Sequence, residues 1–300
     1  ASELDTLHFL IPGGPGGGWD GTARGVGEAL TKAGIVEHAS FENLSGGGGG
    51  RAIAKLIETA ERQQKTLLVG STPFVVRSLQ KVFPQSFRDL RPIASVIADY
   101  AVFAVRADSP WQSWDDVLQA YDANPRKVKI AGGSVRGSTD HLVVASALQA
   151  IERDPRPALY IPYDGGGRAM AGLLTGETDL LSTGYGEAVD MARSGTIRII
   201  AVAAPERLPG APDVPTLNEQ GTPFEFANWR GFFAAPGLKE ARYRAMEATL
   251  RKVIETREFD AVRSRMGWTI LHTEGDEFFA FLERQEAEIG AMMAKLGFRR

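Results

Sequence analysis

Short apolar runs alternate with longer amphipathic stretches along almost the whole chain. Leu7–Ile11 reads as a strand, the glycine-rich turn behind it leads into a helix over about Asp20–Ala33, and Ala39–Leu44 reads as the next strand. A second glycine turn precedes a helix over about Arg51–Gln63. Thr66–Gly70 is a third strand, with Pro73 at a first helical position behind it, and Arg91–Ala98 is a fourth. The rhythm then restarts. Ser113 suits the N-cap of a helix that opens Trp114-Asp115-Asp116. Strands are expected at Val128–Ala131, Leu159–Pro162, Asp179–Leu181 and Ile197–Ala203, with helices at Asp140–Ile151 and Arg168–Leu174. Pro205–Pro223 is proline-rich and irregular, the kind of long loop that is functional or linking. Trp229–Ala234 is a last strand, and two helices follow. Met246, Leu250, Val253 and Ile254 mark the apolar face of one; Phe278, Leu282, Ile289, Met292 and Leu296 mark that of the other.

This alternation predicts an α/β protein with mostly parallel sheets covered on both faces. Tyr100–Val105 and Trp229–Ala235 are candidate crossover strands between two α/β lobes. The first lobe is then 1–104 plus 228–300, and 105–227 is an inserted second lobe.

Charge removes several function classes. Lys plus Arg total 34 and Asp plus Glu 37, a net charge of −3, without the basic excess that nucleic acid or an anionic membrane surface asks for. No apolar run is long enough to span a bilayer. With no cysteine, disulfides, thiolate metal sites and cysteine nucleophiles are excluded. The chain opens on Ala1-Ser2-Glu3-Leu4, without a basic and apolar leader, as expected of a cytosolic protein or of a mature form whose signal has been removed.

Glycine changes the picture most. There are 34 in 300 residues, about 11% against an average near 7%, and they cluster at Gly13–Gly21, Gly46–Gly50 and Gly165–Gly167. The first cluster lies between a strand and a helix, where glycine lets the backbone approach a ligand and the helix start offers unpaired N–H groups to an anion. Gly16–Gly21 also satisfies G-x-G-x-x-G, with Glu42 near the place of a ribose-binding acid, so a Rossmann-type NAD(P) oxidoreductase is a competing reading. Pro15 and Trp19 inside that turn, and a second such turn at Ser45–Gly50, speak against it. Further loops repeat the theme at strand ends: Ser71 and Thr72; Ser134, Ser138 and Thr139; Asp164 before Gly165; Thr183 and Tyr185. In open α/β sheets ligands lie beyond the carboxyl ends of strands, so these loops are expected to converge on one cleft. Catalytic patterns are scarce: no G-x-S-x-G, no P-loop, no H-E-x-x-H, and four scattered histidines. A binding protein without cofactor or metal is therefore preferred to an enzyme.

The chain resembles the solute-binding subunits of tripartite tricarboxylate transporters, the TctC/Bug family, over essentially its whole length. The resemblance is carried by Pro15–Asp20 with Ala23-Arg24, by Asn43–Gly50, by Tyr163–Met170, and by Arg198–Val202, Arg207–Pro209 and Asp213–Gly221. It implies a periplasmic-binding-protein-like fold of two lobes closing on a cleft, a signal peptide missing from this chain, no catalysis, and a monomer that delivers a carboxylate to a membrane permease. By position it nominates Gly16, Gly17, Gly18, Trp19 and Asp20, then Ser45 and Gly46, then Ser134, Ser138 and Thr139, as ligand-binding. Many members have threonine at the place of Trp19 and lysine at that of Asp164; Arg24, Arg136 and Arg168 are candidates to restore the charge. The expected ligand is a small di- or tricarboxylate, citrate-like first. An aromatic carboxylate stacked on Trp19 or Tyr185 is the alternative.

Overall fold

The computed structural model describes residues 4–298. In chain order the elements are β1 (Thr6–Ile11), α1 (Gly18–Lys32), β2 (His38–Asn43), α2 (Gly50–Glu58), β3 (Thr66–Ser71), α3 (Thr72–Leu79), β4 (Arg91–Arg106) and α4 (Trp114–Ala123). They continue with β5 (Lys129–Gly132), α5 (Thr139–Gln149), β6 (Leu159–Pro162), α6 (Gly166–Leu174), β7 (Leu180–Gly184), α7 (Tyr185–Arg193) and β8 (Ile197–Val202). The last are β9 (Ala227–Ala234), α8 (Glu240–Val253), α9 (Arg257–Met266), β10 (Thr269–Glu274) and α10 (Gly275–Lys295).

Two compact units result. One comprises the described residues up to Ala98 with Trp229–Glu288, the other Asp99–Asn228 with the described residues from Ile289 on. The boundaries differ from the expected 104/105 and 227/228, and the end of α10 groups with the second unit rather than the first. The reason is local packing: the Phe298 ring sits edge-on to His141, 5.7 Å between centroids, and fills the space a side chain at Gly137 would need.

In the first unit β2, β1 and β3 run parallel, β9 returns antiparallel beside β3, and β10 is antiparallel to the first half of β4. Phe9, Ile11, Leu67, Val69 and Phe232 from the strands pack with Val26, Leu30, Met246, Leu250 and Phe259 from the helices, all buried. Gly25 on α1 allows that closeness, since a Cβ there would lie 2.8 Å from Val262 and 3.1 Å from Trp268.

The second unit repeats the plan. β6, β5 and β7 are parallel, and the second half of β4 pairs antiparallel with both β7 and β8. Each unit is thus a parallel βαβ block closed by antiparallel returns. Apolar clusters cover both faces of this sheet, one around Phe103, Trp114 and Ile130, the other around Val102, Met170 and Leu173.

Most expected elements are present to within a few residues, but α7, α9 and β10 were not anticipated. Helix α7 buries only Tyr185 and Ala188, and α9 only Phe259 and Val262, too few positions to display a helical period. β10 is a half-exposed edge strand with a register shift between Ile270 and Thr273. The proline-rich stretch does lack helix and strand, yet it is no loose linker. Trp114 Nε1 donates to Thr222 Oγ1 (2.9 Å), Trp114 N to Gln220 Oε1 (3.1 Å), and Leu217 is fully buried.

Candidate functional site

In the first unit the carboxyl ends of β1 and β2 run straight into the two glycine loops. Gly14–Gly18 are exposed, and α1 begins with Gly17 as an N-cap that has no side chain to offer. The N–H groups of Gly18, Trp19 and Asp20 therefore have no acceptor within the helix. Asp20 is not turned toward solvent. Only 6% exposed, its carboxylate accepts from Gly16 N (3.0 Å), Asn43 Nδ2 (2.9 Å) and Arg24 Nε (2.8 Å). Asn43 Nδ2 also donates to Gly13 O (3.0 Å), so the first loop is tied to the end of β2. Burial pushes the Asp20 carboxyl up, but these three donors outweigh it and hold the group below its ordinary range. The Asp20 carboxylate thus organises the first loop from within.

Trp19 is a strut. Its Nε1 donates to Ser71 Oγ (2.7 Å), and Cβ atoms built at Gly13 and Gly49 would lie 3.3 and 3.6 Å from the indole. The Arg77 guanidinium stands 5.3 Å from a ring centroid, while its Nη1 donates to Gly48 O (2.9 Å). One indole and one arginine thus fix the spacing of the two loops. Below them Pro12, Trp19, Ile53, Phe74 and Phe233 enclose a cavity of about 10 Å³, room for about a single water, so a ligand cannot sit beneath the loops.

The second loop uses glycine for its backbone. Gly46, Gly47, Gly48 and Gly49 have φ of 129°, 60°, 68° and 111°, a left-handed run that other residues resist. Gly49 N and Arg51 N both donate to Gly46 O (3.1 and 3.3 Å), and among the described residues no acceptor is found for Gly47 N or Gly48 N. Ser45 and Gly46 are exposed, as a ligand site requires. Ser71 and Thr72 are not: both are buried, Ser71 receiving Trp19 and Thr72 receiving Gln285 Nε2 (3.4 Å). Their hydroxyls serve the interior because the β3–α3 turn lies under the strut. Glu42 is held by Lys55 Nζ (2.6 Å) and His8 Nε2 (3.1 Å), which occupies the acid that a ribose would need.

In the second unit Ser138 caps α5 without a side-chain hydrogen bond and Thr139 opens that helix, both half-exposed; Asp164 is exposed ahead of α6. Ser134 Oγ accepts from Asp140 N (3.2 Å). Thr183 and Tyr185 are 5% and 6% exposed, and the Tyr185 ring lies in the apolar cluster with Ala188 and Leu208. The Tyr185 ring therefore offers little open face in this structure. Among the arginines expected to restore charge, Arg24 is bound to Asp20 and Asn43, and Arg136 Nη1 donates to Tyr160 O (3.4 Å).

Sequence reading missed the acids at these helix starts. Asp140 Oδ2 accepts from Gly133 N (2.9 Å), Asp99 Oδ1 accepts from Gly186 N (3.1 Å), and a Cβ at Gly166 would lie 3.1 Å from the Glu187 carboxyl. Burial raises Asp140 to about 7 against the Gly133 N–H, and the Glu187 and Asp99 charges add to the rise. A carboxyl raised in the folded state weakens the fold as pH climbs from its unfolded value, near 4, to its folded one. Asp140→Asn should therefore melt progressively higher than the parent between pH 4 and pH 7, with the gap constant above. Melting curves at pH 4, 6 and 8 check this; a gap independent of pH contradicts it.

The sequence matches the family described as "Tripartite tricarboxylate transporter family receptor", TctC, over residues 22–298. The chain belongs to this family. A relative in Pseudomonas sp. strain P51, the UPF0065 protein of the tcbD-tcbE intergenic region, is 29% identical over 288 residues, covering 94% of this chain and 83% of its own. Among solved structures, a TctC solute-binding protein from Polaromonas superposes with a TM-score of 0.84 at 23% identity over 99% of this chain and 100% of the other. MatC from Rhodopseudomonas palustris with bound malate gives 0.73 at 21% identity, over 98% of this chain and 99% of the other. An R. palustris protein with adipate gives 0.79 at 19%, over 98% of each chain. These likenesses establish the periplasmic-binding-protein-like α/β fold for this TctC receptor. The family match begins one residue after the first glycine loop ends, so that loop stands on its own geometry.

Proposed function

We propose that this TctC-type receptor captures a small di- or tricarboxylate in the periplasm and hands it, without catalysis, to the permease of a tripartite tricarboxylate transporter. The observation that carries this reading is the set of backbone donors at the start of α1, from exposed Gly18, and at exposed Gly47 and Gly48, in loops held in place by Asp20, Asn43, Trp19 and Arg77. Oriented amides bind an anion without a net positive protein, which suits a chain of charge −3. Malate and adipate on two structural neighbours support the ligand class and favour dicarboxylates over citrate. Ser134, Ser138 and Thr139 are proposed as ligand-binding hydroxyls of the second unit. A competing oxidoreductase role is disfavoured by Glu42, which is already engaged by Lys55 and His8.

The test is a thermal-shift and calorimetry screen with malate, adipate, citrate and phthalate beside NAD and NADP. A true ligand at a hundred times its dissociation constant adds about 2.7 kcal/mol of stability. Stabilisation by a dinucleotide and by no carboxylate would overturn the proposal.

A further inference from the structure

Resting on the carboxylate reading above, we infer that Arg77 of α3 supplies the positive charge of the second glycine loop, and that this charge makes the receptor prefer an ionised carboxylate to its neutral amide. Arg77 lies in the last turn of α3 and is half-buried. A Cβ built at Gly48 would stand 3.4 Å from Arg77 Cδ and 2.9 Å from Val82 Cγ1. The place of the missing side chain is thus taken by the arginine stem and a valine, and the guanidinium comes up against the loop. There it donates to Gly48 O and covers the Trp19 ring.

No acid balances this cation. Arg153, Arg156, Arg207 and Arg251 each lie 2.7 to 2.9 Å from a carboxylate, which raises the guanidinium above its ordinary range. Arg77 goes the other way. Burial alone holds it below that range, and among the described residues no carboxylate stands beside it. An indole face and one carbonyl oxygen bear the charge instead. At the first loop, by contrast, Arg24 and Asp20 neutralise each other at 2.8 Å. Arg51, the other arginine of the second loop, is exposed, so water and salt screen it. A partly desolvated cation without a counter-ion costs free energy that an anion at Gly47 N and Gly48 N would return. Those amides alone discriminate little, because an amide oxygen accepts from an N–H much as a carboxylate oxygen does. The fixed charge behind them is what separates the two.

The experiment titrates adipate, adipic monoamide and malate into the parent, Arg77→Gln, Arg77→Lys and Gly17→Val at low and high salt, with melting curves of each unliganded protein. Arg77→Gln keeps an N–H for Gly48 O and loses the charge. It is expected to bind adipate and malate about 10-fold more weakly, to lose most of the preference for adipate over its monoamide, and to show a flatter dependence on salt. Arg77→Lys keeps the charge and should stay within about 3-fold of the parent. The unliganded melting temperature of Arg77→Gln should change by less than about 3 °C. Equal affinity of the parent for adipate and its monoamide overturns the inference outright. Equal losses of acid and monoamide in both Arg77 variants, with the parental salt dependence, also overturn it and leave Arg77 as a support of the loop. If Arg77→Gln does not fold, Arg77→Lys decides, and binding of the monoamide as tight as that of adipate overturns the inference. Parental affinity and acid preference in Arg77→Gln, beside loss of binding in Gly17→Val, overturn it while the carboxylate reading stands. If the parent binds none of the three, both fall.

Discussion

Gly17→Val should weaken carboxylate binding by about 10- to 100-fold, the scale of losing hydrogen bonds to a charged group, while the protein folds as before. Gly17 is suited to this test by its backbone. It caps α1 at φ −77° and ψ 175°, a conformation any residue adopts, and a Cβ there would meet only Gly14 O at 3.6 Å. Gly16, with φ 87°, would confound loss of binding with strain. A valine at position 17 places its methyl groups in front of the helix-start amides and keeps an anion from approaching them. Calorimetry with malate and adipate, beside a circular dichroism melt, separates the outcomes. Parental affinity in a folded variant would show that the first loop is not the cradle.

Asp20→Ala should cost more in stability than any other exchange in the loops. It removes the acceptor of Gly16 N, Asn43 Nδ2 and Arg24 Nε together, in a place that is 6% exposed. Charge-assisted hydrogen bonds contribute about 1.5–3 kcal/mol each, and the three are not additive. A loss of about 2–3 kcal/mol in all is expected, or a melting temperature lower by about 5–10 °C. The sign with pH follows from the lowered carboxyl. Its contribution is complete above the unfolded value near 3.9 and disappears as pH falls through the folded one. The deficit of the variant should therefore be full at pH 7 and shrink below about pH 4. Affinity should drop as well, since the loop is no longer tied to β2. A melting temperature within 1 °C of the parent, on the scale of about 2–4 °C per kcal/mol, would mean that the loop holds without its acid.

The strand-to-helix handovers were legible from the chain because their signals are local. An apolar run, a glycine cluster and a helix start sit within about fifteen residues of one another, and β1, α1 and β2 are found within two residues of expectation. What could not be read depends on register between distant segments. Whether Ser71 and Thr72 face a ligand or the interior is decided by Trp19, some fifty residues away. That Tyr185 lies in an apolar cluster with Leu208 and Met170 could not be read from its own neighbours in sequence. Arg77 carries no motif; its place at the second loop comes from α3. Asp20 was visible in the sequence but its partners were not, and partners decided its role.

The left-handed run at Gly46–Gly49 has a thermodynamic meaning. Glycine gives up more conformational freedom than any other residue when it is ordered. A binding loop made of four in succession is stiff only because Arg77 and Trp19 make it so from outside. Such a site is preorganised by its neighbours, and the entropy of fixing the loop is spent during folding and not at the moment of capture. A defect in the support would then reach the ligand as a less favourable binding entropy, with every direct contact to the anion still in place.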